Sequence, residues 1–308
     1  MALVSFIKRS TTHAEIVTAY STKRGVMYWG SSELVLAEKL SKYAGKVQLI
    51  FTSPPFPLNR KKKYGNQKGN DYVDWLCGFA STFAKLLKPD GSIVMELGNA
   101  WEPGQPVMST LALEALLAFK KAGGFVLCQQ FVSYNPAKLP TPAQWVTIER
   151  IRVKDAYTHI WWMAKTERPK ASNRRVLKEY SESMLHLLAS QKYNSGPRPS
   201  EHHIGEKSFL KDNGGAIPSN VLQGVNTRAN DQYLSFCRER GIGLHPARMP
   251  EQLPEFFINF LTTPRDLVMD PFAGSNTTGA VAERLKRRWI SIEPNADYVV
   301  GSAGRFQP

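Results

Sequence analysis

A chain of 308 residues can hold one large α/β domain with an insertion, or two domains, and buries an adequate core either way. Its 40 lysines and arginines against 26 aspartates and glutamates give a net charge of +14, which favours a polyanionic partner, although a solvated basic surface would show the same excess. Cys77, Cys128 and Cys237 are widely spaced with no C-x-x-C pair, which excludes a disulfide-stapled scaffold and a cysteine zinc site, and no apolar run approaches the roughly 18 residues of a membrane span.

The start, Met1–Ser10, is too short and polar for a signal peptide, so a cytoplasmic protein is expected. From Met27 to Phe51 the pattern is strand, helix, strand, with Ser31 and Ser32 as caps for a helix over Glu33–Tyr43. Ser53-Pro54-Pro55-Phe56 follows as a turn at a strand's carboxyl end, where open α/β sheets place their chemistry. Arg60, Lys61, Lys62 and Lys63 then lie among Asn and Gly residues, a basic loop suited to phosphate. Asp71–Leu87 has apolar residues near a helical period, Lys88–Gly91 breaks it, and Ser92–Leu97 is a buried strand. Thr110–Lys121 is a helix closed by Gly123-Gly124, and Phe125–Tyr134 is a strand. Such alternation predicts a mostly parallel sheet with helices on both faces.

Ile151–Lys165 reads as a strand pair whose Trp161 and Trp162 belong to the core. Between residues 166 and 243 apolar periodicity weakens and Pro and Gly become frequent. From Lys165 to Lys211 ten basic residues, Arg174, Arg175, Lys207 and Lys211 among them, face five acidic ones. This is an inserted basic module between a first part, 1–165, and a last part, 244–308. Adjacent His202 and His203 seldom converge on one metal and no cysteine or carboxylate cluster completes a ligand set, so no metal is expected and they face the surface or nucleic acid. His245–Leu261 resumes a helical pattern, with Pro254 tolerable in the first turn of a helix over Glu255–Leu261.

Asp270 to Glu293 makes one β-α-β unit: strand Leu267–Met269, a turn with Gly274, a helix from about Thr277 to Arg287, and strand Trp289–Ile292. Glycine lets backbone approach a ligand closely, and an acid about twenty residues on suits a ribose diol. Without G-x-G-x-x-G or the lysine of a phosphate-binding loop, a dinucleotide or a nucleoside triphosphate is poorly supported. S-adenosylmethionine needs no phosphate cradle. The exocyclic amine of cytosine or adenine is a poor nucleophile because its lone pair is delocalised into the ring. Two acceptors on its two protons, Ser53 Oγ and the Pro54 carbonyl, would make it more tetrahedral, and Phe56 could stack on a base lifted from the duplex.

With Ser53–Phe56 ahead of the basic insertion and Asp270–Gly279 behind it, the chain resembles the amino-methyltransferases of bacterial restriction-modification systems in their permuted, β-class order. The resemblance implies a Rossmann-like S-adenosylmethionine-dependent fold, double-stranded DNA as substrate, an inserted target-recognition region at 166–243, and a monomer whose cognate endonuclease acts on the same site without stable association. It assigns Ser53, Pro54, Pro55 and Phe56 to catalysis, with Glu96 as receiver of the released proton. Asp270, Phe272, Gly274, Ser275, Asn276, Thr277 and Glu293, with His245 and Arg248 at the methionine end, would hold the cofactor. Near Gly30 the family often has an acid, where this chain has Ser31-Ser32. A serine heading the turn resembles the cytosine-N4 branch; adenine-N6 enzymes more often carry Asp or Asn there, and a silent DNA-binding relative would not need an intact Ser53.

Overall fold

Val47–Thr52 is buried at every position, as a strand covered by apolar layers on both faces must be. The computed structural model describes residues 16–56, 69–192, 196–197, 199, 203–205, 209–224 and 232–307, and sets this strand at the centre of a nine-stranded sheet. In chain order the strands are β1 (Val17–Ser21), β2 (Gly25–Trp29), β3 (Val47–Thr52), β4 (Leu87–Gly98), β5 (Val126–Tyr134), β6 (Tyr157–Ala164), β7 (Val221–Gln223), β8 (Leu267–Asp270) and β9 (Arg288–Glu293). In space they run β1-β2-β9-β8-β3-β4-β6-β5-β7. The strands from β2 to β4 in that order are parallel, whereas β1 and β6 are antiparallel to their neighbours.

Side chains alternate across the sheet, Leu49 and Phe51 entering one apolar layer and Ile50 the other. The Ile50 layer is closed by α1 (Ser32–Lys39), α2 (Gly69–Gly78), α3 (Ala80–Leu86) and α4 (Leu111–Ala122). The opposite layer is closed by α5 (Gln232–Glu239), α6 (Gln252–Leu261), α7 (Thr277–Arg284) and α8 (Ala296–Ser302). Each fully buried Leu or Phe contributes about 1.5–3 kcal/mol, so these two layers are the main stabilising term. Cys237 lies in the second layer, while Cys77 and Cys128 are half-buried and burial pushes the Cys128 thiol up to about 11.

Several element boundaries differ from expectation. The helix over Asp71–Leu87 is two helices meeting at Gly78-Phe79, and Leu87 already belongs to β4. Lys88–Gly91 is extended chain within β4 rather than a break, the register shifting between Val47 and Leu49 on the neighbouring strand. The strand pair over Ile151–Lys165 is one strand, β6, because residues 151–156 are a loop held by its own hydrogen bonds. The last long helix stops at Arg284, and β1, unforeseen, forms a hairpin with β2. Trp161 and Trp162 are core side chains, on opposite faces of the sheet.

The chain divides into two compact units, one formed by residues up to Ala171 with those from Asn220, the other Ser172–Ser219. This second unit is narrower than 166–243, because Leu222, Tyr233, Phe236 and Cys237 are core residues of the first. Within it, a helix Glu182–Ser190 is capped by Ser181, whose hydroxyl accepts from Met184 N–H at 3.3 Å. Tyr180 OH donates to Asp212 at 3.1 Å and accepts from Asn213 N–H at 2.8 Å. Arg174 and Arg175 occupy a short exposed turn and Lys211 is exposed, while His202, Lys207 and Arg60–Lys63 lie outside the described residues.

Candidate active site and cofactor cavity

Chain direction decides where a cleft opens: after β3 it continues towards β4, and after β8 towards β9, so a crevice forms at the carboxyl ends of adjacent β8 and β3. Thr52 Oγ1 donates to Asp270 Oδ1 at 2.8 Å, stitching the two strand ends together. Above this stitch lies a cavity of about 660 Å³, the size of a site for a drug-sized ligand. Ser53, Pro54, Pro55, Phe56 and Glu96 line one part of it. Asp270, Phe272, Gly274, Ser275, Thr277 and Glu293 line another, and His245 and Arg248 a third. The two turns, more than two hundred residues apart in sequence, therefore share one space.

Glu96, near the end of β4, is buried, accepts a hydrogen bond from Thr158 Oγ1 at 2.8 Å and has the Ser53 hydroxyl beside it. Burial raises its pKa, and the two hydroxyls and the Lys138 charge only partly offset that. A serine hydroxyl keeps lone pairs that can accept hydrogen bonds whichever way its proton points. Phe56 is held by close approach to Gly98: a Cβ there would lie 2.5 Å from the ring.

Gly274 adopts a left-handed conformation, φ 51°, and a Cβ on it would lie 2.8 Å from His245 Nε2. Its N–H donates to Glu293 Oε2 at 2.8 Å, while Asn295 N–H donates to Oε1 at 2.9 Å. Burial nevertheless pushes Glu293 up to about 7, the backbone donors lowering it and Asp270 raising it. Asp270 is pushed up to about 6, again by burial, against donors Thr278, Thr52 and Phe272 N–H. Burial drives His245 down to about 4, so its imidazole is neutral at physiological pH. Its Nδ1 accepts from Ala247 N–H at 3.3 Å, which leaves Nε2 to carry the proton and face the Gly274 turn.

Asn276 departs from its expected role: it does not line the cavity. It sits at φ 53° as the cap of α7, Oδ1 accepting from Gly279 N–H at 3.1 Å and Ser291 Oγ at 2.7 Å, Nδ2 donating to Tyr20 OH at 3.0 Å. An Asn before a helix is a cap first, and the hydrogen bonds of its amide run to Gly279, Ser291 and Tyr20 rather than into the cavity. Ser31 caps α1, and Ser32 Oγ donates to the Pro271 carbonyl and so braces the turn after β8.

Cavity residues not anticipated are Glu33, Trp75, Thr158, Met249 and Tyr298. Trp75 stands 5.4 Å from the Phe272 ring and Phe79 meets that ring edge-on at 5.2 Å, while Trp75 Nε1 donates to Glu33 at 2.8 Å. A tryptophan amid Val73 and Leu76 reads only as helix core, which hid it. Among the described residues no group of three His, Cys, Asp or Glu side chains could hold a metal, and no helix is long and apolar enough to cross a membrane.

The chain is similar to known proteins. The type II methyltransferase M.PvuII of Proteus hauseri is 49% identical over 94% of this chain and 85% of its own length. The DNA adenine methyltransferase YhdJ of Escherichia coli is 27% identical over 86% of this chain and 77% of its own. The solved PvuII DNA methyltransferase, described as cytosine-N4-specific, superposes with a TM-score of 0.75 at 43% identity, covering 94% of this chain and 89% of that one. M1.HpyAVI in complex with S-adenosylmethionine shares the fold at 19% identity and a TM-score of 0.55, over 92% and 98% of the two chains. A family model described as DNA methylase matches residues 47–303, from the strand that delivers Ser53 past the one that ends in Glu293, and this chain belongs to that family.

Proposed function

We propose that this protein transfers a methyl group from S-adenosylmethionine to the exocyclic N4 of a cytosine turned out of duplex DNA. The observation that carries the reading is that Ser53 and buried Glu96 line the same cavity as Gly274 and Glu293.

The residues suit the cofactor. Gly274 leaves room where a side chain would collide with His245, and Glu293 presents a carboxylate to a ribose diol beside the aromatic wall of Phe272 and Trp75. Asp270, Ser275 and Thr277 complete that end, and neutral His245 with Arg248 would hold the methionine end. When bound, S-adenosylmethionine supplies an electrophilic methyl on a sulfonium.

Ser53 Oγ and the Pro54 carbonyl accept the two amine protons and orient the nitrogen lone pair, Pro55 stiffens the turn, and Phe56 stacks on the extruded ring. Glu96 takes up the proton lost by the amine, relayed through Ser53, and its raised pKa suits it to hold that proton. No covalent enzyme intermediate is needed. The basic excess, with Arg174, Arg175 and Lys211 exposed in the Ser172–Ser219 unit, supports DNA as the macromolecular substrate and that unit as the target-recognition element; Arg60–Lys63 and Lys207 are further phosphate ligands in this reading. The type II designation of M.PvuII supports the further reading that an endonuclease for the same site accompanies this protein.

Incubation with labelled cofactor and mixed-sequence duplex, digestion to nucleosides and mass spectrometry tests the assignment. It should return N4-methyldeoxycytidine. Label in N6-methyldeoxyadenosine, or in no nucleoside, would overturn it.

A further inference from the structure

Large apolar side chains in water are ordinary when scattered, but four of them crowd one loop, residues 135–156, between β5 and β6: Leu139 at 76% exposure, Ile148 at 68%, Ile151 at 48% and Val153 at 86%. The loop is built rather than slack. Ile151 and Arg152 N–H groups both donate to the Trp145 carbonyl at 3.0 and 3.2 Å, and Asp155 N–H donates to Thr141 O at 3.2 Å. Arg152 Nε donates to Pro106 O at 3.1 Å and Lys154 Nζ to Pro136 O at 2.7 Å. Backbone bonding of this density holds the apolar tip out instead of letting it fold back.

The root of the loop is tied to the active site. Asn99 Nδ2 donates to Asp155 Oδ1 at 2.8 Å and to the Tyr157 carbonyl at 3.3 Å, and Asn99 directly follows the glycine against which Phe56 packs. Thr158, next along β6, donates to Glu96 inside the cavity. Val153 is five positions from Thr158, so it stands within about 18 Å of the cavity wall.

Charge selects the occupant. Lys138, Arg150, Arg152 and Lys154 face only Glu149 and Asp155 in this loop, and Asp155 is paired with Lys138 at 3.6 Å. An apolar tip flanked by Arg152 and Lys154 matches a duplex, with phosphates for the cations and a dry base stack for the valine.

We propose that the 135–156 loop is a DNA wedge: Val153 enters the base stack at the target, occupies the place the extruded base leaves, and so holds the duplex open. This rests on the reading of the protein as a DNA methyltransferase. Extruding a base costs unstacking and unpairing, least where the base is already unpaired. The wedge is therefore needed for a paired target and dispensable for an unpaired one.

Val153→Ala removes the wedge at a position with no core contacts to lose. Its kcat/KM is measured on a duplex carrying a target cytosine located by sequencing the methylated mixed-sequence DNA, once paired with guanine and once opposite an abasic site. The expected result is a loss of about ten-fold or more on the paired duplex, with wild-type rates on the abasic one. Wild-type rates on the paired duplex, or an equal loss on both, would overturn the wedge. So would a shift of the DNA-free protein from dimer to monomer in Val153→Asp by sedimentation, since the face would then join two copies of the chain. Absence of methylation by the unsubstituted protein on either duplex would instead overturn the underlying reading.

Discussion

Glu293 shows how a single residue can be set for a ligand before the ligand arrives. Its carboxylate is 8% exposed and has two backbone donors, yet burial holds it at about 7. In the proposed reading the hydroxyls of a ribose donate to the ionised form, so cofactor binding would favour loss of the proton. The folded value lies above the ordinary one of about 4.3, so this group's stabilisation of the free protein is present below that value and lost as pH rises through about 7. The two effects have opposite signs. Cofactor affinity measured calorimetrically should rise from pH 6 to about 8, with proton release shown by the dependence on buffer ionisation enthalpy, and Glu293→Gln should abolish that release. Pushed up to about 6, Asp270 adds to the stability trend but, having three donors inside the protein, not to binding. Gly274 and Glu293 could be placed on one cavity wall from sequence because their positions follow from residue type and spacing. Asn276 was expected there too because an Asn at a helix start is written the same whether it caps or binds, and the closeness of Ser53 to Glu96 was hidden because they lie on neighbouring strand ends 43 positions apart in chain, which no local pattern records.

Elements determine whether such residues meet. The turn after β8 reverses so tightly that Gly274 takes φ 51° with His245 Nε2 where a Cβ would go, and Asn276 follows at φ 53°. Alanine at 274 meets both a left-handed backbone, which costs about 1–2 kcal/mol, and a collision with the imidazole. Relief by either partner widens the cavity wall. Gly274→Ala should therefore raise the cofactor Kd by about ten-fold or more while lowering Tm by only a few degrees; unchanged affinity in titration would separate the turn from the cofactor. The β-α-β unit around this turn was legible because its apolar runs and glycine are contiguous. The helix expected over Asp71–Leu87 was not, since its apolar period runs unbroken through Gly78-Phe79, and only packing of Phe79 and Phe83 in the core reveals two helices. Hairpin strand β1 offers just Val17–Ser21, too short and mixed to stand out before its partner is known.

Across the whole molecule, a mostly parallel sheet faced by helices follows from alternation alone, and the permuted order of the two turns closes into one crevice because β8 and β3 are neighbours. The insertion's limits were less legible: loop-like composition extends from 166 to 243, but Leu222 and Tyr233 belong to the core and confine the second unit to Ser172–Ser219. A net charge of +14 acts at this scale too. Duplex affinity, followed by fluorescence anisotropy, should fall about a thousand-fold between roughly 50 and 200 mM salt, as for six or more phosphate contacts. Cofactor affinity should not follow it. A flat salt response would leave the basic surface merely solvated.

The central claim is that Ser53, beside Glu96 on the wall of the cofactor cavity, is one of two acceptors that activate the amine. Single-turnover methyl transfer by Ser53→Ala, with cofactor Kd measured on the same protein, tests it most directly. The account predicts transfer slower by about a hundred-fold or more with cofactor binding unchanged. An undiminished transfer rate would contradict it.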